Sequence, residues 1–186
     1  MDHILGFAAY ERVREQARQS IIELKRRRRV AVGDKVTLLF ENRDTVIFQI
    51  QEMVRAEKIG DLDKIREEIE VYNELIPEPG ELSATLFLEI ADQTRLRQEL
   101  LKFLGIDEAV YLQVGNHAIH ACFEEGRSKE DKISAVQYVK FPFPEPALQA
   151  FMKGEQAELV IDHPNYHAHA PIEAETRQSL MEDLTT

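Results

Sequence analysis

The sequence predicts an α+β fold, in which N-terminal helices precede a mostly antiparallel sheet of about five strands with interposed and closing helices. Apolar residues recur at helical spacing over residues 8–76. After residue 81 the apolar repeat shortens to two, the period of a strand with one buried face. Pro77-Glu78-Pro79-Gly80 separates the two patterns and ends the last early helix. Segregated runs of helices and strands of this kind indicate an α+β protein.

Three helices are predicted before residue 80. Residues 8–28 carry one apolar stripe at three- and four-residue steps, and a Gly-Asp pair follows as a stop. Asp44 is predicted to cap a second helix over residues 45–58, and Asp61 to cap a third that runs to Ile76. Residues 35–40 are apolar and β-branched, which allows either a short strand or a buried helical turn.

Strand patterns dominate the remainder of the chain. Residues 82–90 alternate between apolar and polar positions, and Gly115-Asn116 is a two-residue hairpin signal between two further strands. Later strands are expected over residues 133–141 and 157–161, short helices over residues 92–105, 144–154 and 172–184, and a charged loop over residues 124–131. The prediction is a single domain over 1–186, with 1–80 a mostly helical layer and 81–186 a mostly antiparallel α+β layer.

Charge and hydropathy exclude several classes of protein. The chain has 186 residues and a net charge of −11, and residues 1–35 hold nine basic and five acidic side chains, so the acidic excess lies in the rest. A general nucleic-acid binder needs a broad basic face, so none is expected. No apolar run approaches the roughly 20 residues of a membrane span, and the first residues lack the basic region, apolar core and cleavage site of a signal peptide. These features predict no membrane insertion and a cytoplasmic location.

Two local features have more than one interpretation. The basic cluster, Lys25-Arg26-Arg27-Arg28-Arg29, is either a site for phosphate or an acidic partner or a solvated helix end whose cations favour the C-terminal dipole. The acidic remainder of the chain favours the helix end. The single cysteine, Cys122, lies between apolar neighbours and is therefore predicted to be a buried, inert thiol.

His163, His167 and His169 lie within seven residues and form the densest chemical signal. In an extended segment, His167 and His169 project to the same side, with their Cα atoms about 6.5–7 Å apart. His163, or a carboxylate such as Glu41 or Glu52, could then complete a site for a transition metal ion, iron or zinc. The favoured alternative is an exposed polar loop in which His163 holds a turn. His117 and His120 are expected to point to opposite faces of a strand.

The second predicted helix carries polar residues on a face that is otherwise expected to be buried. Thr45, Gln49 and Glu52 share this face, and buried polar groups need partners. One interpretation is a functional site at the helix–sheet junction, with Glu52 as a ligand or base. The favoured interpretation is a structural network in which Arg43 or Arg55 pairs with Glu52 and a carboxylate of the sheet.

Several stretches resemble DUF3501, an uncharacterised bacterial family. They are residues 24–30, 40–53 and 81–86, His163-Pro164-Asn165-Tyr166, and the closing segment from Arg177 to Asp183-Leu184. His167 and His169 lie outside them. The resemblance implies a link to redox chemistry or peroxide defence, because members of the family are often encoded beside a rubrerythrin-like protein and an iron–sulfur protein similar to heterodisulfide reductase subunits.

Two functional hypotheses follow, and the first is favoured. The sequence has no glycine-rich phosphate loop, Cys-x-x-Cys or Gly-x-Ser-x-Gly motif, which favours a non-catalytic accessory protein. It would dock on rubrerythrin-like or iron–sulfur redox proteins through its acidic sheet region or its basic cluster. The alternative is a metal-binding protein or metal-dependent oxidoreductase that uses the histidine and carboxylate residues above. A structural homodimer is the third possibility.

Overall fold

Two antiparallel sheets pack face to face at the centre of the protein, as the predicted α+β class requires. The computed structural model describes residues 4–58, 61–124, 128–129 and 132–185. The helices are α1 Phe7–Arg28, α2 Arg43–Ala56, α3 Leu62–Asn73, α4 Leu96–Leu101, α5 Glu145–Met152 and α6 Ala174–Thr185. The strands are β1 Arg29–Val32, β2 Val36–Glu41, β3 Glu81–Leu88, β4 Val110–Val114, β5 His117–His120, β6 Cys122–Phe123, β7 Ser128–Lys129, β8 Lys132–Ile133, β9 Val136–Pro142, β10 Ala157–His163 and β11 Tyr166–Pro171.

The five-stranded sheet has the order β1-β2-β3-β9-β6 and the four-stranded sheet the order β11-β10-β4-β5. Strands β1, β4, β9 and β10 alternate in burial because successive side chains point to opposite faces. Strand β2 and most of β3 are buried on both faces. The inward faces meet in one apolar core, to which α5 and α6 add side chains. Members of this core include Leu38, Leu86 and Phe141 from one sheet and Leu112 and Leu159 from the other.

The outer faces of the two sheets differ in what covers them. A second, smaller core forms between α2, the end of α3 and the five-stranded sheet, around Val46, Ile50, Val54 and Leu75 with Tyr138 of β9 against it. Helix α1 packs on α2. The outer face of the four-stranded sheet remains open to solvent, where His120, Asp162, His167 and His169 are exposed. None of the helices in the described ranges is long and apolar enough to cross a bilayer.

The structure settles the ambiguous segment at residues 35–40 as strand β2 and adds a strand that the sequence pattern did not predict. Strand β1 follows α1 without a break, and its alternation of exposed and buried residues begins inside the basic cluster. Gly33, with φ +75°, turns the chain between β1 and β2. The single sheet of about five strands is therefore two sheets. The division into layers at residue 80 stays a prediction, although β2 pairs with β3, which lies beyond it.

Several helix ends differ from their predicted positions. Asn42, rather than Asp44, caps α2, because the Asn42 side chain accepts from the Thr45 N–H at 3.1 Å while the Thr45 hydroxyl accepts from the Asn42 N–H at 2.9 Å. This reciprocal pair is a capping box. Asp61 caps α3 as predicted, but α3 ends at Asn73. Most of the loop predicted over residues 124–131 lies outside the described residues.

Candidate functional site

Arg28 of the basic cluster is a buried structural residue. Its side chain has no exposed surface and donates to the carbonyl oxygens of Phe40 at 2.9 Å and Glu41 at 3.0 Å. It also donates to the backbone and hydroxyl oxygens of Ser179 at 3.1 and 2.9 Å, and forms an ion pair with Asp183. Burial raises the pKa of the Asp183 carboxyl, and the charge of Arg28 opposes that rise. The predicted solvated helix end is wrong for this residue, which joins α1, β2 and α6.

Other cations of the cluster also bind within the chain. Arg26 lies 2.8 Å from Glu23 and 2.9 Å from Glu175, and the hydrogen bonds from Arg26 hold the pKa of the Glu23 carboxyl below its usual value. Arg29 lies 3.6 Å from Glu89. Arg26 therefore connects α1 to α6, and Arg29 connects β1 to the segment after β3.

Glu41 is fully buried at the end of β2, beneath α2. The Thr45 hydroxyl donates to one of its oxygens at 2.5 Å, and the Thr85 hydroxyl and Gln49 amide donate to the other at 2.6 and 3.3 Å. Neutral donors, rather than the predicted Arg43 or Arg55, thus satisfy the carboxylate. The network fixes α2 on strands β2 and β3, in agreement with the structural interpretation of this junction.

Glu52 lies on α2 and faces α1. Arg14 donates two hydrogen bonds to its oxygens at 2.8 Å, and the Tyr10 hydroxyl donates another at 2.7 Å. The Arg14 guanidinium in particular lowers the pKa of Glu52 to about 2, although burial acts in the opposite direction. Burial, with Glu52 beside it, raises the pKa of Tyr10. Because a general base works best with a pKa near the operating pH, this carboxylate is poorly suited to that role.

His163 is only 2% exposed and uses both ring nitrogens inside the protein. Its Nε2 lies 2.8 Å from the Leu104 carbonyl oxygen, and the Asn165 N–H donates to its Nδ1 at 3.2 Å. This pattern assigns the hydrogen to Nε2 of a neutral ring. The Phe103 ring stacks against it, with ring centroids 6.3 Å apart. His163 therefore anchors the turn between β10 and β11 on the segment after α4.

The rest of the His163-Pro164-Asn165-Tyr166 stretch ties the same turn to neighbouring elements. The Asn165 amide donates to the Lys102 carbonyl oxygen at 2.9 Å. The Tyr166 hydroxyl donates to the Val32 carbonyl oxygen at 2.7 Å and accepts from the Lys35 N–H at 3.0 Å. A Cβ atom at Gly33 would overlap this hydroxyl, so the β1–β2 turn needs glycine both for its backbone conformation and for space.

His167 and His169 project to the same solvent-exposed face of β11, as predicted. The His167 Nδ1 lies 2.8 Å from an Asp162 oxygen, and the His169 Nδ1 lies 3.1 Å from a Glu158 oxygen. The structure does not bring His163, Glu41 or Glu52 to them, since each of those has the other partners described above. Among the residues that the structure describes, no group of three or more histidine, cysteine or acidic side chains is arranged to hold a metal ion.

Cys122 is exposed, so its predicted burial is wrong. It opens the two-residue strand β6 and pairs with Lys140 of β9, whose side chain points to the outer face of the five-stranded sheet. Its apolar neighbours Ala121 and Phe123 contribute to the core instead. A strand of two residues is too short to show an alternating pattern, so the sequence carries no signal for this orientation.

The Cys122 thiol lines a cavity of about 960 Å³ on the outer face of the five-stranded sheet. The end of α3 and the segment after it form one wall, and β3, β9 and β6 form the other. Ser83, Lys140 and Tyr138 line the sheet side. The cavity has the size of a small-molecule site.

Comparison with known proteins places these features in a family. The model of the protein family of unknown function DUF3501 matches residues 1–184. The chain belongs to the DUF3501 family. The DUF3501 stretches supply Arg28, Glu41, Thr85, His163 and Asp183, all of which make the internal contacts described above. The family match over residues 1–184 also spans the exposed His167 and His169 and the thiol cavity.

One solved structure shares the fold over nearly its whole length. It is the crystal structure, at 1.90 Å resolution, of a novel protein of unknown function from Burkholderia pseudomallei K96243. The TM-score is 0.92 with 34% sequence identity, and the match covers 98% of this chain and 97% of that chain. None of the curated proteins compared with the chain matches it.

Proposed function

We propose that this DUF3501 protein is a non-catalytic accessory protein that docks on a redox partner through the outer face of its four-stranded sheet. The observation that carries the proposal is a row of side chains in register across all four strands of this face. His169, Val160, Tyr111 and His120 are successive cross-strand partners. The His120 and Tyr111 rings are in contact, with centroids 5.5 Å apart.

The composition of this face suits a protein interface with a basic partner. Glu158 and Asp162 lie beside the row on β10, and the sequences of β4, β5, β10 and β11 contain no lysine or arginine. Aromatic residues are enriched in interfaces, and complementary charge steers partners together. The basic cluster is the weaker candidate, because Arg26, Arg28 and Arg29 already bind carboxylates of this chain.

The redox partners proposed are rubrerythrin-like or iron–sulfur proteins, and the proposed location of the complex is the cytoplasm. The support for these partners is the family resemblance and the gene neighbourhood that the resemblance implies. Their docking surface should be basic, which can be checked on the partner before any binding experiment.

Binding to purified candidate partners, measured at low and moderate salt, tests the proposal. We expect a complex at low salt that weakens at moderate salt, because exposed charges are screened. Asp162→Lys should weaken it about tenfold or more, whereas Glu15→Lys, which reverses an exposed charge on α1, should leave it unchanged. No complex at either salt concentration, or equal effects of the two variants, would contradict the proposal.

A second candidate function, metal binding, is favoured by the two histidine–carboxylate pairs of the same face. Histidine ligands commonly donate one ring N–H to a carboxylate, which leaves the other nitrogen for the metal. His167 with Asp162 and His169 with Glu158 have this arrangement at Nδ1, so Nε2 of each ring would bind iron or zinc. Elemental analysis of untagged protein tests it, and substoichiometric metal after reconstitution would rule it out.

The third possibility, a homodimer, can use the same face. Analytical sedimentation of the protein without a partner tests this case. If a second copy binds the face, the protein should sediment as a dimer. Asp162→Lys should then change the monomer–dimer equilibrium, whereas Glu15→Lys should not.

A further inference from the structure

We propose that the groove between α1 and α2 binds an amphipathic anion, a carboxylate on an unbranched alkyl chain, and that Arg27 holds the carboxylate. The groove has a volume of about 470 Å³. It is independent of the docking face, because helices line it and the docking face belongs to the four-stranded sheet. Three features favour this ligand: a guanidinium nitrogen without a partner, an apolar lining, and the length of the groove.

Arg27 is the arginine of the basic cluster that binds no carboxylate. Arg26, Arg28 and Arg29 each form an ion pair. The Nε of Arg27 is a buried donor without a hydrogen-bond partner, and it is the one buried side-chain nitrogen or oxygen in that state within the described part of the chain. Glu23, one turn earlier on α1, is hydrogen-bonded by Arg26 and is affected by Arg27 only through its charge. Buried donors are normally satisfied, so an acceptor on a bound molecule would complete this site.

Most of the groove is apolar. Of its other polar lining groups, the Tyr10 hydroxyl donates to Glu52 at 2.7 Å. The Gln51 amide and the Leu5 backbone exchange two hydrogen bonds at 2.8 and 2.9 Å. A ligand therefore gains by burying an apolar chain along the groove, and its acceptor is needed at Arg27. The apolar lining comes from Val13, Ala17, Ile21 and Leu24 of α1 and from Ile47 and Phe48 of α2.

The packing of α1 on α2 gives the groove a direction and a length. Tyr10, near the start of α1, binds Glu52 in the second half of α2, so the two helices run antiparallel. Arg27, near the end of α1, lies toward the start of α2. The lining extends about 25 Å along α1, from Tyr10 to Arg27, and about 10 Å along α2. An alkyl chain of medium length fits between these limits, with its carboxylate at Arg27 and its chain directed toward Tyr10.

Asp44 opposes an anion at the same end of the groove. It lines the groove and is exposed, and no ion pair joins it to Arg27 over the described residues. The attraction must therefore come from the guanidinium. A rotation of the half-buried Arg27 side chain presents Nε and a terminal nitrogen to the groove, where one carboxylate can accept from both. Loss of the Asp44 charge should strengthen this binding, whereas it would weaken the binding of a cation.

Decanoate, decyltrimethylammonium and butyrate test the charge and the chain separately. Isothermal titration calorimetry on the whole protein, below the micelle concentration of each compound, measures their affinities. We expect one equivalent of decanoate to bind about tenfold or more tightly than either of the others, because only decanoate offers both an acceptor for Arg27 and a long apolar chain. Equal or tighter binding of the cation or of butyrate would overturn the proposal.

Variants locate the binding in the groove. Arg27→Gln should weaken decanoate binding about tenfold or more, and Asp44→Asn should strengthen it severalfold. Arg18→Gln, which removes an exposed cation of α1 outside the groove, should leave it unchanged. Ala17→Phe fills the groove but keeps the guanidinium, so it should also weaken binding, and it keeps the test decisive if Arg27→Gln does not fold.

Three results would contradict this assignment. The first is an equal effect of Arg27→Gln and Arg18→Gln on decanoate binding. The second is unchanged binding in Ala17→Phe. The third is a dimer that Ala17→Phe dissociates together with no binding of decanoate, which would assign the groove to a second copy of the chain.

Discussion

The outer faces of the two sheets carry similar residue types and use them differently. On the outer side of the five-stranded sheet, helix α2 covers Glu41 of β2 completely, and α1 partly covers Glu52 of α2. Each carboxylate is bound by donors from other elements. On the four-stranded sheet, Asp162 faces an exposed histidine across an open surface. Covered groups hold the fold together, whereas open groups remain available for partners. The following predictions test this contrast, from the largest expected effect to the smallest.

Arg28 and Arg26 form the sharpest test, because they are two residues apart in the basic cluster. Arg28→Leu removes the partner of buried Asp183 and leaves the carbonyl oxygens of Phe40 and Glu41 without their donor. We expect a loss of about 3–5 kcal/mol in the free energy of unfolding. Arg26→Leu removes ion pairs of a side chain that is 58% exposed and should cost far less, because solvent screens exposed ion pairs.

Urea unfolding followed by far-ultraviolet circular dichroism measures both losses. If Arg28→Leu itself unfolds the protein, Asp183→Asn provides a milder variant with the arginine retained. Equal losses for Arg28→Leu and Arg26→Leu would show that the buried and exposed arginines of the basic cluster contribute equally to stability.

The histidine cluster allows the same comparison within one hairpin. His163→Leu removes a buried ring and leaves the Leu104 carbonyl oxygen and the Asn165 N–H without their partner at a partly buried site, so we expect a loss of about 2–3 kcal/mol. His169→Leu changes an exposed side chain and should alter stability by less than about 0.5 kcal/mol. Thermal unfolding of the two variants in parallel gives the comparison, and a large loss for His169→Leu would contradict it.

The sequence predicted those parts of the fold that depend on local periodicity. The α+β class, the extents of α1 and of the strand that begins near residue 82, and the shared face of His167 and His169 all follow from periods of 3.6 or two. Strand β1 was not predicted, because its alternation is short and begins within a run of arginines that continues a helix. The cap of α2 is Asn42 rather than Asp44 because Asn42 and Thr45 exchange two hydrogen bonds. Several neighbouring polar residues could have formed such a pair, so the sequence did not identify the cap.

The candidate sites were less predictable because their partners are distant in the chain. Arg28 meets Asp183, 155 residues away, and His163 meets Leu104, 59 residues away. Spacing along the chain cannot show such contacts. The thiol cavity forms where the two-residue strand β6 meets the end of α3, which is distant in the chain. The apolar neighbours of Cys122 carry no information about that meeting, and they led to the wrong prediction of a buried thiol.

Substitutions at Glu41 and Asp162 allow a covered carboxylate to be compared with an exposed one. Glu41→Gln keeps the shape but places an amide N–H₂ among the Thr45, Thr85 and Gln49 donors. We expect a loss of about 2 kcal/mol, because at least one buried donor loses its acceptor. Asp162→Asn, at an exposed position, should change stability by less than about 0.5 kcal/mol. Chemical unfolding at neutral pH measures both, and similar losses would remove the distinction between the two faces.

Glu52 lies between these extremes, and its contribution should depend on pH. Arg14 lowers its folded-state pKa to about 2 from an ordinary value of 4.5. A lowered folded-state pKa adds stability that is fully present above the unfolded-state pKa and is lost as the pH falls through the folded-state pKa. The window for this group is therefore about pH 4.5 down to about pH 2.

The contribution of Glu52 should be about 1 kcal/mol near neutral pH, since its carboxylate is 29% exposed and solvent screens the ion pair. Glu52→Gln should therefore be less stable than the native protein at pH 6, and the difference should shrink steadily between pH 4.5 and pH 2. Glu15→Gln, which alters an exposed carboxylate on the facing helix α1, serves as the control and should show a much smaller change over this window. Urea unfolding at a series of pH values measures the difference for each variant. If the difference in stability for Glu52→Gln stayed constant from pH 6 to pH 2, the side chain would contribute through packing and hydrogen bonds rather than through its charge beside Arg14. The junction between α1 and α2 would then resemble the site of Glu41, which is bound by neutral donors.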